Sequence, residues 1–187
     1  MLIFLFTILV LSCSETQIAA PFQSVEIKPL FQDSVSVRAI ELMGNTLAFA
    51  GSNGVFGSID IGTGKVRTNI QQHDSLVPEF RAVAHTATDF FMLSVANPAL
   101  LYKTGESGKM ELVYKEENEK VFYDAMQFWN NEEGIAIGDS MGGCLSVIIT
   151  RDGGKSWKKL SCDQLPTGID GEGAYAASNT NIVVRGD

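Results

Sequence analysis

Four stretches of this chain are variations on one another, and that repetition restricts its folding more than any other feature. They are "VRAIELMGNTLAFAGS" from Val37, "FRAVAHTATDFFMLSV" from Phe80, "YDAMQFWNNEEGIAIGD" from Tyr123 and "AYAASNTNIVVRGD" from Ala174. Each opens with a short apolar run around an alanine (Ala39, Ala82, Ala125 and Ala174), crosses a polar turn and enters a second apolar run. A second frame repeats too. "SIDIGTGKV" from Ser58, "TGESGKMEL" from Thr104 and "TRDGGKSWK" from Thr150 start 46 residues apart both times. All three place a Ser or Thr, an acid two residues on and a Gly two further on: Ser58, Asp60, Gly62; Thr104, Glu106, Gly108; Thr150, Asp152, Gly154. Such a period builds units that cannot bury their apolar surface alone and must stack.

The apolar runs are rich in Val, Ile and Phe and alternate with polar residues, which is strand chemistry; no 3.6-residue period is present. The 18 glycines suit many short strands joined by tight turns. A unit of about 45 residues with four strands is the size of a propeller blade. The expected fold is therefore all-β: a β-propeller of four-stranded antiparallel blades. Its units fall at about 34–77, 78–120 and 121–170, with an incomplete one at 171–187. Propellers close with ~4–8 blades. Three and a half blades read as the N-terminal fragment of a longer propeller.

The first 13 residues, "MLIFLFTILVLSC", stand outside the repeats. Leu2 to Leu11 is almost wholly apolar but shorter than the ~20 residues a membrane span needs. It reads as the core of a signal peptide. "VLSC" resembles a bacterial lipobox with Cys13 as the lipidated residue, although no Lys or Arg precedes the apolar run. Residues 14–33 would then form a tether and first segment. The expectation is an exported, membrane-anchored bacterial lipoprotein of the periplasm or cell surface; a plain signal cleaved elsewhere is the alternative. A net charge of −8 argues against nucleic acid as a partner, because phosphate binding needs Lys and Arg. Export opens an oxidising compartment to the two remaining cysteines. If Thr150 faces Ser156 across the turn at Gly153, Cys144 faces Cys162. A cross-strand disulfide and two buried free thiols are both open readings.

"TRDGGKSW", residues 150–157, resembles the Asp-box of the BNR or sialidase-like β-propellers, Ser/Thr-x-Asp-x-Gly-x-Ser/Thr-Trp. Thr150, Asp152, Gly154, Ser156 and Trp157 match every defining position, and the two earlier frames are decayed copies without the Trp. The exported, short-bladed pattern looks most like the Ycf48-like photosystem assembly factors and their secreted bacterial relatives. The box has a structural rationale: Asp ties turn amides, Gly takes a positive φ, and Trp covers the hairpin base.

Candidate ligand-binding residues come from another coincidence. Arg38, Arg81 and Asp124 are each 43 residues apart and directly precede the repeat alanine. The first strand of a blade is innermost, so these three should lie at the central channel or its mouth. In sialidases an Arg in a Phe/Tyr-Arg-Ile-Pro motif helps clamp a carboxylate, and "FRAV" at Phe80 is similar but has Val83 in place of the Pro. The other reading is an inter-blade ion pair such as Arg81 with Asp124. His73 and His85 lack ligand-spaced partners, so neither a metal nor a cofactor is expected. "GDSMGG", residues 138–143, reads as a loop, and "KEENEK", residues 115–120, as a solvated linker between blades. Tyr123 and Trp129 could stack a sugar or pack in the core. The function expected is a non-catalytic binding or assembly scaffold. Its partners would be a protein or carbohydrate at the propeller face, met by inner-strand residues and loops such as 52–54 and 139–143, and a membrane through a lipid anchor. A sialidase-like glycoside hydrolase is the alternative, and an oxidoreductase-type propeller a weaker one.

Overall fold

A computed structural model describes residues 22–105, 108–169, 171–175 and 179–186. The signal segment and Cys13 therefore lie outside the described residues, as does Glu106. Twelve strands form three four-stranded antiparallel sheets, each in simple sequence order. The first sheet holds β1 (Val37–Met43), β2 (Thr46–Gly51), β3 (Val55–Asp60) and β4 (Val66–Ile70). The second holds β5 (Phe80–His85), β6 (Phe90–Ser94), β7 (Ala99–Thr104) and β8 (Met110–Glu116). The third holds β9 (Tyr123–Phe128), β10 (Gly134–Ser140), β11 (Leu145–Thr150) and β12 (Lys158–Lys159). The opening strand of each sheet packs beside the next, β1 on β5 and β5 on β9. These are the blades of a β-propeller, with β1, β5 and β9 innermost.

The repeat alanines show why the fold reads this way. Ala82 and Ala125 are fully buried and Ala39 nearly so. At these alanine positions neighbouring inner strands pack side by side and a small side chain fits. Larger residues fill the interfaces around them, on the inner strands (Phe80, Tyr123, Phe128) as well as farther out. Between the second and third blades lie Phe91, Leu93, Leu101, Tyr123, Met126, Phe128, Ile148 and Trp157. Between the first and second lie Ala48, Ala50, Phe80, Val83, Phe90, Met92, Leu100 and Tyr102.

Four expectations are corrected. The half-blade at 171–187 forms no strand among its described residues. Instead Asn179 uses its side chain on the inner strands: its Nδ2–H donates to the Val83 carbonyl at 2.6 Å, and its Oδ1 accepts from the Met126 amide at 3.1 Å.

The frame at Ser58 is one residue out of ladder register with the others. Ser58 pairs with Ala48 on β2, the position that Lys103 and Ile149 hold in their blades, whereas Thr104 and Thr150 stand one step on. Asp60 closes a separate turn, accepting from the Thr63 amide and hydroxyl.

The last hairpin is also offset: Ile149 pairs with Lys158, so Thr150 does not face Ser156. Asp152 holds Ser156 inside the turn instead. Cys144 and Cys162 are nonetheless joined by a disulfide, with Cα atoms 5.5 Å apart, Cys162 opening the 3-10 turn Cys162–Gln164 beyond the short β12.

Finally, Lys115 and Glu116 end β8 rather than lying in a solvated linker.

Candidate functional site

The three inner strands share an irregularity that the sequence spacing concealed. The register of β1 on β2 slips between Val37 and Ala39, that of β5 on β6 between Phe80 and Ala82, and that of β9 on β10 between Tyr123 and Ala125. The extra residue is Arg38, Arg81 and Asp124 in turn. Each is a β-bulge, which bends the strand and re-aims a side chain, and bulges gather at rims and binding sites. The residue two before each bulge carries an equivalent bond. The carbonyls of Ser36, Glu79 and Phe122 accept from the amides of Ser52, Val95 and Asp139 at 3.1, 2.9 and 2.8 Å. These bonds fix the start of each inner strand.

The side chains at these bulges differ in exposure. Arg38 is exposed, and its Nε–H donates to Ser36 Oγ at 3.1 Å. Arg81 is half-buried. Asp124 is fully buried. Arg38 and Arg81 stand at equivalent bulges of the adjacent strands β1 and β5, while Asp124 is buried. The 3-10 turn Ser52–Gly54 flanks them, anchored by the Asn53 amide donating to Glu79 Oε1 at 3.0 Å. The loop after β10 is pinned by its own set of contacts. Asp139 Oδ1 accepts from the Ala174 amide, the Ser140 amide donates to Glu172 O, and the Cys144–Cys162 bridge closes its base.

At the other end of the inner strands a hollow of about 260 Å³ is lined by Glu41, His85, Trp129 and Asn131 among others. Trp129 is 40% exposed there. His85 Nε2 lies 3.5 Å from Glu41 Oε2. Burial pushes the Glu41 carboxyl above its ordinary value, and His85 pulls it part of the way back. Tyr123, by contrast, is wholly buried and belongs to the core rather than to a sugar platform.

The 150–157 turn is held by bonds within it and by the Gly153 amide donating to the Glu132 carbonyl at 3.0 Å. Asp152 Oδ1 accepts from the Thr150 hydroxyl at 2.8 Å and the Ser156 amide at 3.0 Å, and its Oδ2 from the Ser156 hydroxyl at 2.6 Å. Partial desolvation pushes the Asp152 carboxyl up, but these bonds outweigh it and hold the group below the ordinary value. Trp157 packs edge-on against Phe128 at 5.7 Å and Phe91 at 6.4 Å, ring centre to ring centre. Asp152 and Trp157 are thus engaged in fastening the hairpin to the interface between the second and third blades.

Sequence reasoning missed the densest polar cluster. Glu116 accepts from Tyr114 Oη at 2.7 Å, Tyr123 Oη at 2.8 Å and Lys159 Nζ at 2.8 and 3.0 Å. It joins the outer strand of the second blade to the third. Burial and the neighbouring carboxylate push both tyrosines above their ordinary values. The four residues are scattered from Tyr114 to Lys159, so no spacing signalled them.

No family model matches the chain, and no curated protein does either. Solved structures do. A structure of YCF48 bound to a D1 peptide is similar at 12% identity over 68% of this chain and 40% of that one, with a TM-score of 0.54. The computationally designed Ika4 protein is similar at 19% identity over 80% of this chain and 84% of that one, TM-score 0.53. The RRP9 WD40 repeats are similar at 10% identity over 70% and 40%, TM-score 0.53. This chain thus spans about 40% of the length of the YCF48 and RRP9 chains. At these identities the likeness shows the fold alone, and that fold is the β-propeller.

Proposed function

We propose that this protein is an exported, non-catalytic β-propeller that serves as a binding or assembly scaffold at the cell envelope. The observation that carries the reading is the bulge repeated on β1 and β5, which sets Arg38 and Arg81 at the same end of neighbouring inner strands. Guanidiniums are suited to planar, bidentate recognition of carboxylates. The ligand class that fits is an acidic segment of polypeptide. The YCF48 structure, described as peptide-bound, is a use of the same fold in the same sense. The hydrogen-bonded turn at 150–157 supports a place among the Asp-box propellers, and "MLIFLFTILVLSC" supports export with Cys13 as the anchor.

Fluorescence anisotropy with a labelled acidic peptide panel tests the binding reading. Acidic peptides should bind with an affinity that falls as salt rises, and R38A/R81A should weaken them at least tenfold. Equal affinity for neutral peptides, unchanged binding by R38A/R81A, or hydrolysis of a fluorogenic sialoside would overturn it. Labelling of expressing cells with a palmitate analogue tests the anchor: C13S should abolish the label, and label retained by C13S sinks that part of the reading.

A further inference from the structure

The two blade interfaces are built to one plan, and comparing them position by position exposes a space that is filled in one and open in the other. Phe91 pairs with Ala84 in the second blade, as Ala48 pairs with Glu41 in the first. Ala48 is therefore the counterpart of Phe91. On the facing blade, Met110 pairs with Thr104, while Ile149 pairs with Lys158, which places Trp157 across from Thr150. Met110 is therefore the counterpart of Trp157. Between the second and third blades, Phe91 and Trp157 meet edge to face and close the outer part of the wedge. Between the first and second blades, an alanine and a methionine stand in their places. Rings return elsewhere: Phe90 stands where the third blade has Gly134, Phe56 where the second blade has Leu101, and Tyr102 where the third blade has Ile148, but none takes the places of Phe91 and Trp157.

The glycines of the two turns report the same difference. Gly154 lies flat on the Phe91 ring: a Cβ there would come within 2.2 Å of Phe91 Cε1. Gly108, with a nearly identical φ of +73°, has nothing among the described residues within 4 Å of a Cβ placed on it. No ring of the described residues lies against Gly108, which lines the space between the first and second blades. The result is a crevice of about 460 Å³ floored by Met43, Ala48, Phe56, Phe90 and Met110, with the exposed Arg67 on its rim. Apolar and polar side chains share the lining, Ser58, Asn69 and Thr104 among the latter, and that volume is within the range of a small-molecule site.

We infer that the crevice between the first and second blades is a binding site for a planar aromatic ring, which would take the place Phe91 and Trp157 occupy at the next interface. The methionines at its wall provide polarisable contacts to a ring edge. Arg67 is placed to stack its guanidinium over an exposed ring face. The ring has two sources with the same chemistry: a free aromatic compound, or an aromatic side chain of a polypeptide. This site is separate from the Arg38 and Arg81 mouth, and its test does not involve them.

The experiment is methyl NMR on the full chain labelled at methionine, titrated with indole and, in parallel, with N-acetyltryptophanamide. The Met43 and Met110 methyls should shift together and saturably, while Met92 and Met126, buried in the cores, stay put. A48F restores the ring of one interface in the other, and M110W does so from the facing blade. Each should weaken indole at least tenfold without lowering the melting temperature. N-acetyltryptophanamide binding as well as indole assigns the site to a polypeptide side chain. Indole binding alone assigns it to a free aromatic compound. The inference fails if neither probe shifts Met43 and Met110, or if the shifts persist at unchanged affinity in folded A48F and M110W. R38A/R81A should leave the titration unaltered, so loss of the peptide-binding reading would leave this one standing.

Discussion

Replacing Gly154 by alanine should be among the costliest small substitutions in this chain, and Gly108→Ala isolates the reason. Both glycines hold a positive φ, +74° and +73°. An L-residue in that region costs about 1–2 kcal/mol. Gly108→Ala meets nothing further within 4 Å among the described residues, so that backbone contribution is its expected cost. Gly154→Ala also drives a methyl to 2.2 Å from Phe91 Cε1, in a ring wedged between Phe128 at 4.7 Å and Trp157. Forcing an extra methyl into such packing adds about 1–3 kcal/mol. The expected losses are thus about 2–5 kcal/mol for G154A and about 1–2 kcal/mol for G108A. For a chain this long, each kcal/mol lowers the melting temperature by about 2–4 °C. Calorimetry or circular dichroism melts should place G154A clearly below G108A. A double variant with Phe91→Ala should lose less than the sum of its parts, because the ring that blocks the new methyl has gone. Equal losses for the two glycine variants, or strict additivity with F91A, would refute the argument.

The Glu116 cluster gives a pH dependence with a definite sign. Burial pushes its carboxyl up, but hydrogen bonds from Lys159, Tyr114 and Tyr123 outweigh that and hold it below the ordinary value. A depressed carboxyl adds stability above its unfolded-state value, about 4.3, and loses it as pH falls through the folded one. Urea titrations should show stability falling through that acidic window, and E116Q should lose about 2 kcal/mol at neutral pH and flatten the fall. Glu41 has the opposite sign: burial raises it, so its contribution is present at low pH and is lost as pH rises through the raised value. E41Q should therefore melt slightly higher than the parent at pH 7, by differential scanning fluorimetry. The Cys144–Cys162 bridge closes a short loop. C144S should cost about 3 kcal/mol, and non-reducing peptide mapping should find the two cysteines in one linked species.

The repeats made the blades legible because each strand carries its own pattern. "TLAFAG" is β2 without adjustment, and the box residues Thr150 to Trp157 form the turn their types imply. What stayed hidden depends on pairing between segments. Ser58 looked equivalent to Thr150 by residue type and spacing, yet the ladder shifts it by one. The bulges at Arg38, Arg81 and Asp124 were visible only as a 43-residue interval, because a bulge is a relation between two strands and leaves no residue signature of its own. Burial was equally out of reach: of three side chains at equivalent positions, one is exposed and one is wholly enclosed. Glu116 sat in a run of charges that reads as solvated, and only the approach of Lys159 and two tyrosines makes it an inter-blade acceptor.

Radial packing connects these observations. Blade packing takes a small residue at one position of each inner strand and larger ones around it, on that strand (Phe80, Tyr123, Phe128) and farther out. Ala39, Ala82 and Ala125 meet the first requirement in all three blades, which is why alanine was the most regular letter of the repeat. The second requirement is met by Phe91 and Trp157 at one interface and unmet by Ala48 and Met110 at the other. A propeller tolerates the omission because each interface stands on its own hydrophobic cluster, so an outer gap at one does not propagate to the next. The decay of the turn motif from the third unit to the second thus has a spatial consequence. The Trp that fastens one hairpin is the same group whose loss opens the crevice beside the other, and a degenerate repeat marks the interface that has room for a ligand.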